Sequence, residues 1–168
     1  GAGRWPGPLD LLAPTTQLVH CQELERGAAA RIAAAGAPVV VCPGTIAWFR
    51  RSPPPVPRWL RAGIPVALGT DSRASNDGWS MRDELRRAAT FWPELAPADL
   101  LAMATTAGGT ALQQKHLGRL VRGGRADLIA VHGEHRPERL LEQFVHGRTR
   151  TAFVLAGGVR VRGSGQRR

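Results

Sequence analysis

The sequence predicts an α/β fold: a parallel sheet with helices between its strands, followed by a small β layer. Three features predict it. Short apolar runs end at His20, Cys42 and Gly69, and each is followed at once by polar or turn-forming residues. Helical spacing fills the chain between and after these runs, and beyond Leu117 it gives way to short strand-like runs and glycine-rich turns. Strands and helices in alternation build a parallel sheet with right-handed crossovers, whereas short strands joined by tight turns build a separate β layer.

Taken in order, Gly1 to Pro14 is rich in Gly and Pro, carries Leu9, Leu11 and Leu12, and reads as a linker closing on a short helical turn. Gln17-Leu18-Val19-His20-Cys21 is the first strand, with a titratable side chain at its exit. Leu24 to Ala35 holds an alanine-rich run with Ile32 on its inner face, and Gly36 ends the helix. Ala37 to Cys42, with Val39, Val40 and Val41, is a second buried strand, after which Pro43-Gly44 opens a loop to Ser52. Pro53 to Ala62 is a proline-started helix with Val56, Trp59 and Leu60, ended by Gly63. Ile64, Val66, Ala67 and Leu68 form a third strand, apolar on both faces, which delivers Asp71 to its carboxyl end. Ligands bind at the carboxyl ends of strands in parallel sheets, so Asp71 and His20 are the first candidate site residues. Ser80 caps a helix from Met81 to about Trp92, and two short helices follow over Pro97 to Thr105 and Thr106 to Gln113. Gly118 to Gly124 is a turn-rich link, Ala126 to Val131 a strand, and Arg150 to Val161 a hairpin turning at Gly157-Gly158, with no helix expected among these strands.

The chain of 168 residues can form one domain with a real core, or a domain and a small appendage, and 43% hydrophobic residues is ordinary for a globular protein. No window approaches the ~18 apolar residues of a membrane span, and no leader pattern is present, so a soluble cytoplasmic protein is expected. Cys21 and Cys42 belong to no Cys-x-x-Cys pair and read as reduced core thiols. The net charge of +10 comes almost wholly from arginine spread along the chain, without interleaved aromatics, which argues against a nucleic-acid module. The chain begins at Gly1 and its methionines are Met81 and Met103, leaving a removed initiator or the back portion of a longer protein as the expectations.

Three blocks, Leu18-Val19-His20-Cys21, Val41-Cys42-Pro43 and Ala67-Leu68-Gly69-Thr70-Asp71-Ser72 with Ala74-Ser75-Asn76, together resemble the carboxyl-terminal half of metal-dependent amidohydrolases. The resemblance is to the branch holding chlorohydrolases and guanine, adenosylhomocysteine and aminofutalosine deaminases. Leu117-Gly118-Arg119-Leu120 and Gly123-Gly124-Arg125-Ala126-Asp127-Leu128 are similar to that family's return from barrel to sandwich. The resemblance implies a (β/α)8 barrel with one divalent metal, usually zinc, at its carboxyl-terminal mouth, and hydrolytic deamination of a nitrogen heterocycle or purine nucleoside-like substrate, with aminofutalosine-type deamination the first expectation. Asp71 then matches the aspartate ending the eighth strand, as metal ligand and proton carrier, and His20 matches the histidine ending the sixth, which hydrogen-bonds the water or the group attacked. Residues 1–116 are then the last three βα units of the barrel, 117–162 part of a composite β-sandwich and 163–168 a disordered basic tail. The family's His-x-His pair, later His and catalytic Glu have no counterpart here, because His116, His132, His135 and His146 all follow the barrel strands. The expectation is a fragment that is inactive by itself, and the unpaired edges of a partial barrel predict self-association.

Each residue also has a plainer reading. Asp71 alone is a turn or cap residue, and His20 alone a hydrogen-bonded core histidine. Ser72, Ser75 and Asn76 brace their loop through side-chain to backbone bonds or touch substrate. Trp48 and Phe49 face a heterocycle at the barrel mouth or pack in the core. Asp127 reads as a structural turn residue, and His132 and His135 have no third ligand beside them. The rival to a deaminase is a non-catalytic α/β module that uses the same fold to bind a partner.

Overall fold

The computed structural model describes residues 11–161. The expected linker falls mostly, and the expected basic tail of residues 163–168 wholly, outside them. Strands β1 (Leu18–Val19), β2 (Val39–Val41) and β3 (Val66–Leu68) form a parallel sheet in the order β1-β2-β3. Its register pairs Leu18 with Val39 and Val41 with Leu68. The β-branched run of β2 suits a pleated interior surface, and Val39 and Val41 are fully buried. Just past the strands the pairing persists: the His20 N–H donates to the Val40 carbonyl at 2.8 Å and the Gly69 N–H to the Val41 carbonyl at 2.9 Å. The exits of β1 and β3 are thereby held to the end of β2.

Helices α1 (Ala28–Ala35), α2 (Pro43–Trp48), α3 (Val56–Arg61), α4 (Met81–Phe91), α5 (Pro97–Ala104) and α6 (Thr106–Ala111) follow in sequence order around these strands. One buried cluster joins Ile32, Val39, Val41, Trp59, Val66, Leu85, Leu100 and Met103. Trp92 is also buried there, and its indole N–H donates to the Pro54 carbonyl at 2.9 Å. Burying an aromatic of this size requires such a partner for its polar atom.

Three expectations are corrected. The first helix starts at Ala28 rather than Leu24, because Gly27 takes a left-handed φ of 82° and the Ala28 N–H turns back to the Glu25 carbonyl. The stretch after β2 is not a loop to Ser52. Pro43 opens α2 at a first-turn position, where its missing N–H costs nothing, so Trp48 ends a helix.

The third correction lies in the last part of the chain. Strands β4 (Leu128–His132), β5 (Arg150–Ala156) and β6 (Val159–Val161) form an antiparallel sheet, but helix α7 (Pro137–Val145) stands between β4 and β5. Leu141, Phe144 and Val145, spaced three and four apart, pack against the main buried cluster. The β5–β6 turn is Gly157-Gly158, both at positive φ, as a two-residue hairpin of the primed type requires. Among the described residues no helix is long and apolar enough to cross a membrane.

Candidate active site

The carboxyl end of the parallel sheet brings together residues distant in sequence. His20 Nε2 lies 3.7 Å from Asp71 Oδ2, and their side chains are 37% and 27% exposed, open enough to meet a ligand. His20, Cys21 and Asp71 have φ values of 68°, 47° and 55°, a region that side chains other than Gly rarely adopt. Such backbone persists only where its surroundings over-determine it. Here the His20 N–H is tied to Val40 and the Cys21 N–H to Val19.

Asp71 is held from two sides. Thr45 Oγ1 and Ser75 Oγ each donate to its Oδ2 at 2.8 Å. The Ser75 and Thr45 hydroxyls, then the Ser72 backbone N–H and nearby His20, hold the carboxyl below the usual range for aspartate. It is thus a fixed anionic acceptor at neutral pH. His20, Asp71, Thr45, Phe49, Arg51 and Glu23 line one cleft, with Arg51 reaching Glu23 at 3.2 Å across its outer wall. That ion pair is exposed and contributes little to stability.

Trp48 is half exposed at the end of α2, one residue before the cleft-lining Phe49. Ser72 faces its own loop: its hydroxyl lies 3.3 Å from that of Ser75 and accepts the Ala74 N–H. Cys42, next to the site but buried, has its thiol pushed up to about 12 by burial and by the charges of Asp71 and Glu84. At neutral pH it is no nucleophile.

Beneath the cleft lies a residue that sequence reasoning missed. Glu84 is fully buried; its Oε2 accepts the Gly44 N–H at 2.6 Å and its Oε1 the Asn76 side-chain amide at 2.8 Å. The signal was present, because Glu84 stands four residues before Ala88 and one before Leu85 on the inward face of an otherwise apolar helix stripe. Thr45 was also missed. It follows the exit of β2 closely, so the strand-end logic that selects His20 and Asp71 selects it too.

A zinc site needs three or four protein ligands. Among the described residues no group of three or more His, Cys, Asp or Glu side chains is placed to hold a metal. Asp71 and His20 are two side chains and do not by themselves reach that number.

Comparison with known proteins places the chain in a family. Residues 2–160 match the model of the Amidohydrolase family. The chain belongs to that family. Among curated relatives of this amidohydrolase chain, the 5-methylthioadenosine/S-adenosylhomocysteine deaminase of Nitratidesulfovibrio vulgaris (strain DP4) is 35% identical over 130 residues, covering 73% of this chain and 29% of the relative. The hydroxydechloroatrazine ethylaminohydrolase of Pseudomonas sp. (strain ADP) is 32% identical over 136 residues, covering 76% and 28%. The chain thus spans less than a third of the length of these relatives. Among solved structures, a zinc-bound adenosine deaminase from Xanthomonas campestris superimposes with a TM-score of 0.78 at 28% identity, covering 89% of this chain and 37% of that one. Zinc-complexed atrazine chlorohydrolase from Arthrobacter aurescens TC1 gives 0.76 at 27% identity, covering 90% and 37%.

Proposed function

We propose that these residues form the carboxyl-terminal part of a metal-dependent hydrolytic deaminase acting on an amino group of a nitrogen heterocycle of the purine-nucleoside type. Residues 1–116 contribute the last three βα units of a (β/α)8 barrel and 117–162 part of its sandwich, and the rest of the site comes from chain outside these 168 residues. The observation that carries this reading is the approach of His20 to Asp71 at one end of a parallel sheet, in a family whose relatives include named deaminases.

Asp71 is the chain's contribution to a divalent-ion site, with zinc the ion its zinc-bound structural neighbours favour. When bound, such an ion acts as a Lewis acid and acidifies a water. The chain's own residues divide the remaining work. Asp71 accepts the proton of the attacking water and passes it to the leaving nitrogen. The water oxygen bonds to the ring carbon, the C–N bond breaks and ammonia departs, and the second proton of the water ends on the neighbouring ring nitrogen as a carbonyl replaces the amino group. His20 donates a hydrogen bond to the oxygen on which charge develops. Phe49 and Trp48 offer ring faces to the heterocycle, and Ser72 lies within the same loop as Asp71.

The decisive experiment measures ammonia release from adenosine-like nucleosides by the protein that carries these residues together with the remainder of its chain. Asp71→Asn is expected to abolish turnover while the far-ultraviolet circular dichroism is unchanged. Wild-type rates for that variant would refute the assignment. A second reading, a non-catalytic binding module, is favoured by the lack of a three-ligand cluster among the described residues. Metal analysis of the purified 168-residue chain bears on it: well under one equivalent of zinc is expected, and stoichiometric zinc would contradict the incomplete-site view.

A further inference from the structure

Glu84 sits in a place that packing alone does not explain. It is fully buried on α4, yet it spans two segments that carry the site. Through Oε2 it takes the N–H of Gly44, the residue before Thr45. Through Oε1 it takes the amide of Asn76, whose same nitrogen donates to the carbonyl of Thr70, the residue before Asp71, at 2.7 Å. Arg87 closes the arrangement with a 3.3 Å contact to Oε1, offsetting the cost of burying the charge. The hydrogen bond between Thr45 and Asp71 is thus bracketed by backbone that one carboxylate holds, directly at Gly44 and through the Asn76 side chain at Thr70. Gly44 fits the same account, because a Cβ there would overlap the Asn76 amide.

We propose that Glu84 is a positioning residue, whose carboxylate sets the reach between Thr45 and Asp71 and so the direction in which Asp71 faces the cleft. This rests on the reading of Asp71 as the site carboxylate. The chemistry demands an acid rather than an amide: both groups pointing at Glu84 from the site segments are N–H donors, and glutamine would set its own NH2 against one of them. A donor left facing a donor inside the protein gives up its hydrogen bond and lets its segment drift.

The test combines Glu84→Gln with Thr45→Val in a double-mutant cycle on turnover of the protein carrying these residues in full, with hydrogen–deuterium exchange on the 168-residue chain beside it. Each single variant is expected to lower kcat by about 10- to 100-fold with KM within twofold, as small misplacements of a reacting group do. The double variant is expected to fall no further than the worse single one, because both act through the same contact. Exchange should quicken in peptides covering residues 43–49 and 69–76 of Glu84→Gln and stay unchanged over 150–156. Additive losses in kcat, or exchange that quickens uniformly, would overturn the positioning role and leave a structural one. Failure of the site reading looks different: Asp71→Asn then retains wild-type turnover whatever the cycle shows.

Discussion

At the scale of single residues, acceptor chemistry decides most of what matters in this chain. Asp71 keeps a left-handed backbone, at a cost of about 1–3 kcal/mol, because two hydroxyls and a neighbouring histidine need its carboxylate where it is. Asp127 shows the structural counterpart. Its Oδ1 accepts the N–H of Gly157 in the β5–β6 turn, and its Oδ2 lies 2.7 Å from Arg125 Nε. The Gly157 N–H, then Arg125, lower its pKa below the ordinary aspartate value. Its folded pKa is depressed, so its contribution to stability is complete above the unfolded value of about 3.9 and is lost as pH falls through the folded one. Asp127→Asn is expected to lower the melting temperature slightly at neutral pH, with turnover unchanged and with the gap to wild type closing in acid. Thermal melts across that pH range check it, and a gap that persists in acid would argue against the carboxylate's role.

Elements are legible in the sequence where one local signal dominates. Helix α4 is such a case. Ser80 accepts the Asp83 N–H as its N-cap, and Leu85, Ala88 and Ala89 are buried as their spacing requires. Ser80→Ala is therefore expected to destabilise the fold by about 1 kcal/mol, measured by denaturant unfolding. A cost near zero would mean that tertiary contacts, and not the cap, hold the start of α4 and with it Glu84. Elements are misread where two signals compete. The Pro43-Gly44 pair carries turn chemistry as strong as its first-turn helix chemistry; in the structure the Ile46 N–H bonds to the Cys42 carbonyl and the Gly44 N–H to Glu84, and the helix forms. Helix α7 has apolar spacing at Leu141, Phe144 and Val145, but its nine residues lie between strand-like runs and turn residues that dominate a local reading.

At the scale of the molecule, the parallel sheet ends in β1 on one side and β3 on the other, and among the described residues neither has a further partner strand. Leu120, Ile129 and Val159 are more than half exposed along the antiparallel layer and its approach. Unpaired strand edges and scattered apolar surface favour association. The 168-residue chain is expected to sediment as dimers or larger species at micromolar concentration, and a monomer with a single cooperative melt would show that the three-stranded unit is self-sufficient. The same openness bears on the site, since strands pairing with the free edges would end at the rim where His20 and Asp71 stand.

The α/β class, the three strand exits and the family can be read from neighbouring residues, because burial period and short motifs are local properties. The sequence also marked His20 and Asp71, since a polar side chain within three residues of an apolar run is visible without any contact. Folding adds that these two side chains stand 3.7 Å apart, that Thr45 and Ser75 hold the carboxylate, and that Glu84 joins the two segments from below. Those are relations between positions 4 to 51 residues apart. They arise when parallel pairing sets β1, β2 and β3 side by side in register, so that three distant strand exits end at a common rim.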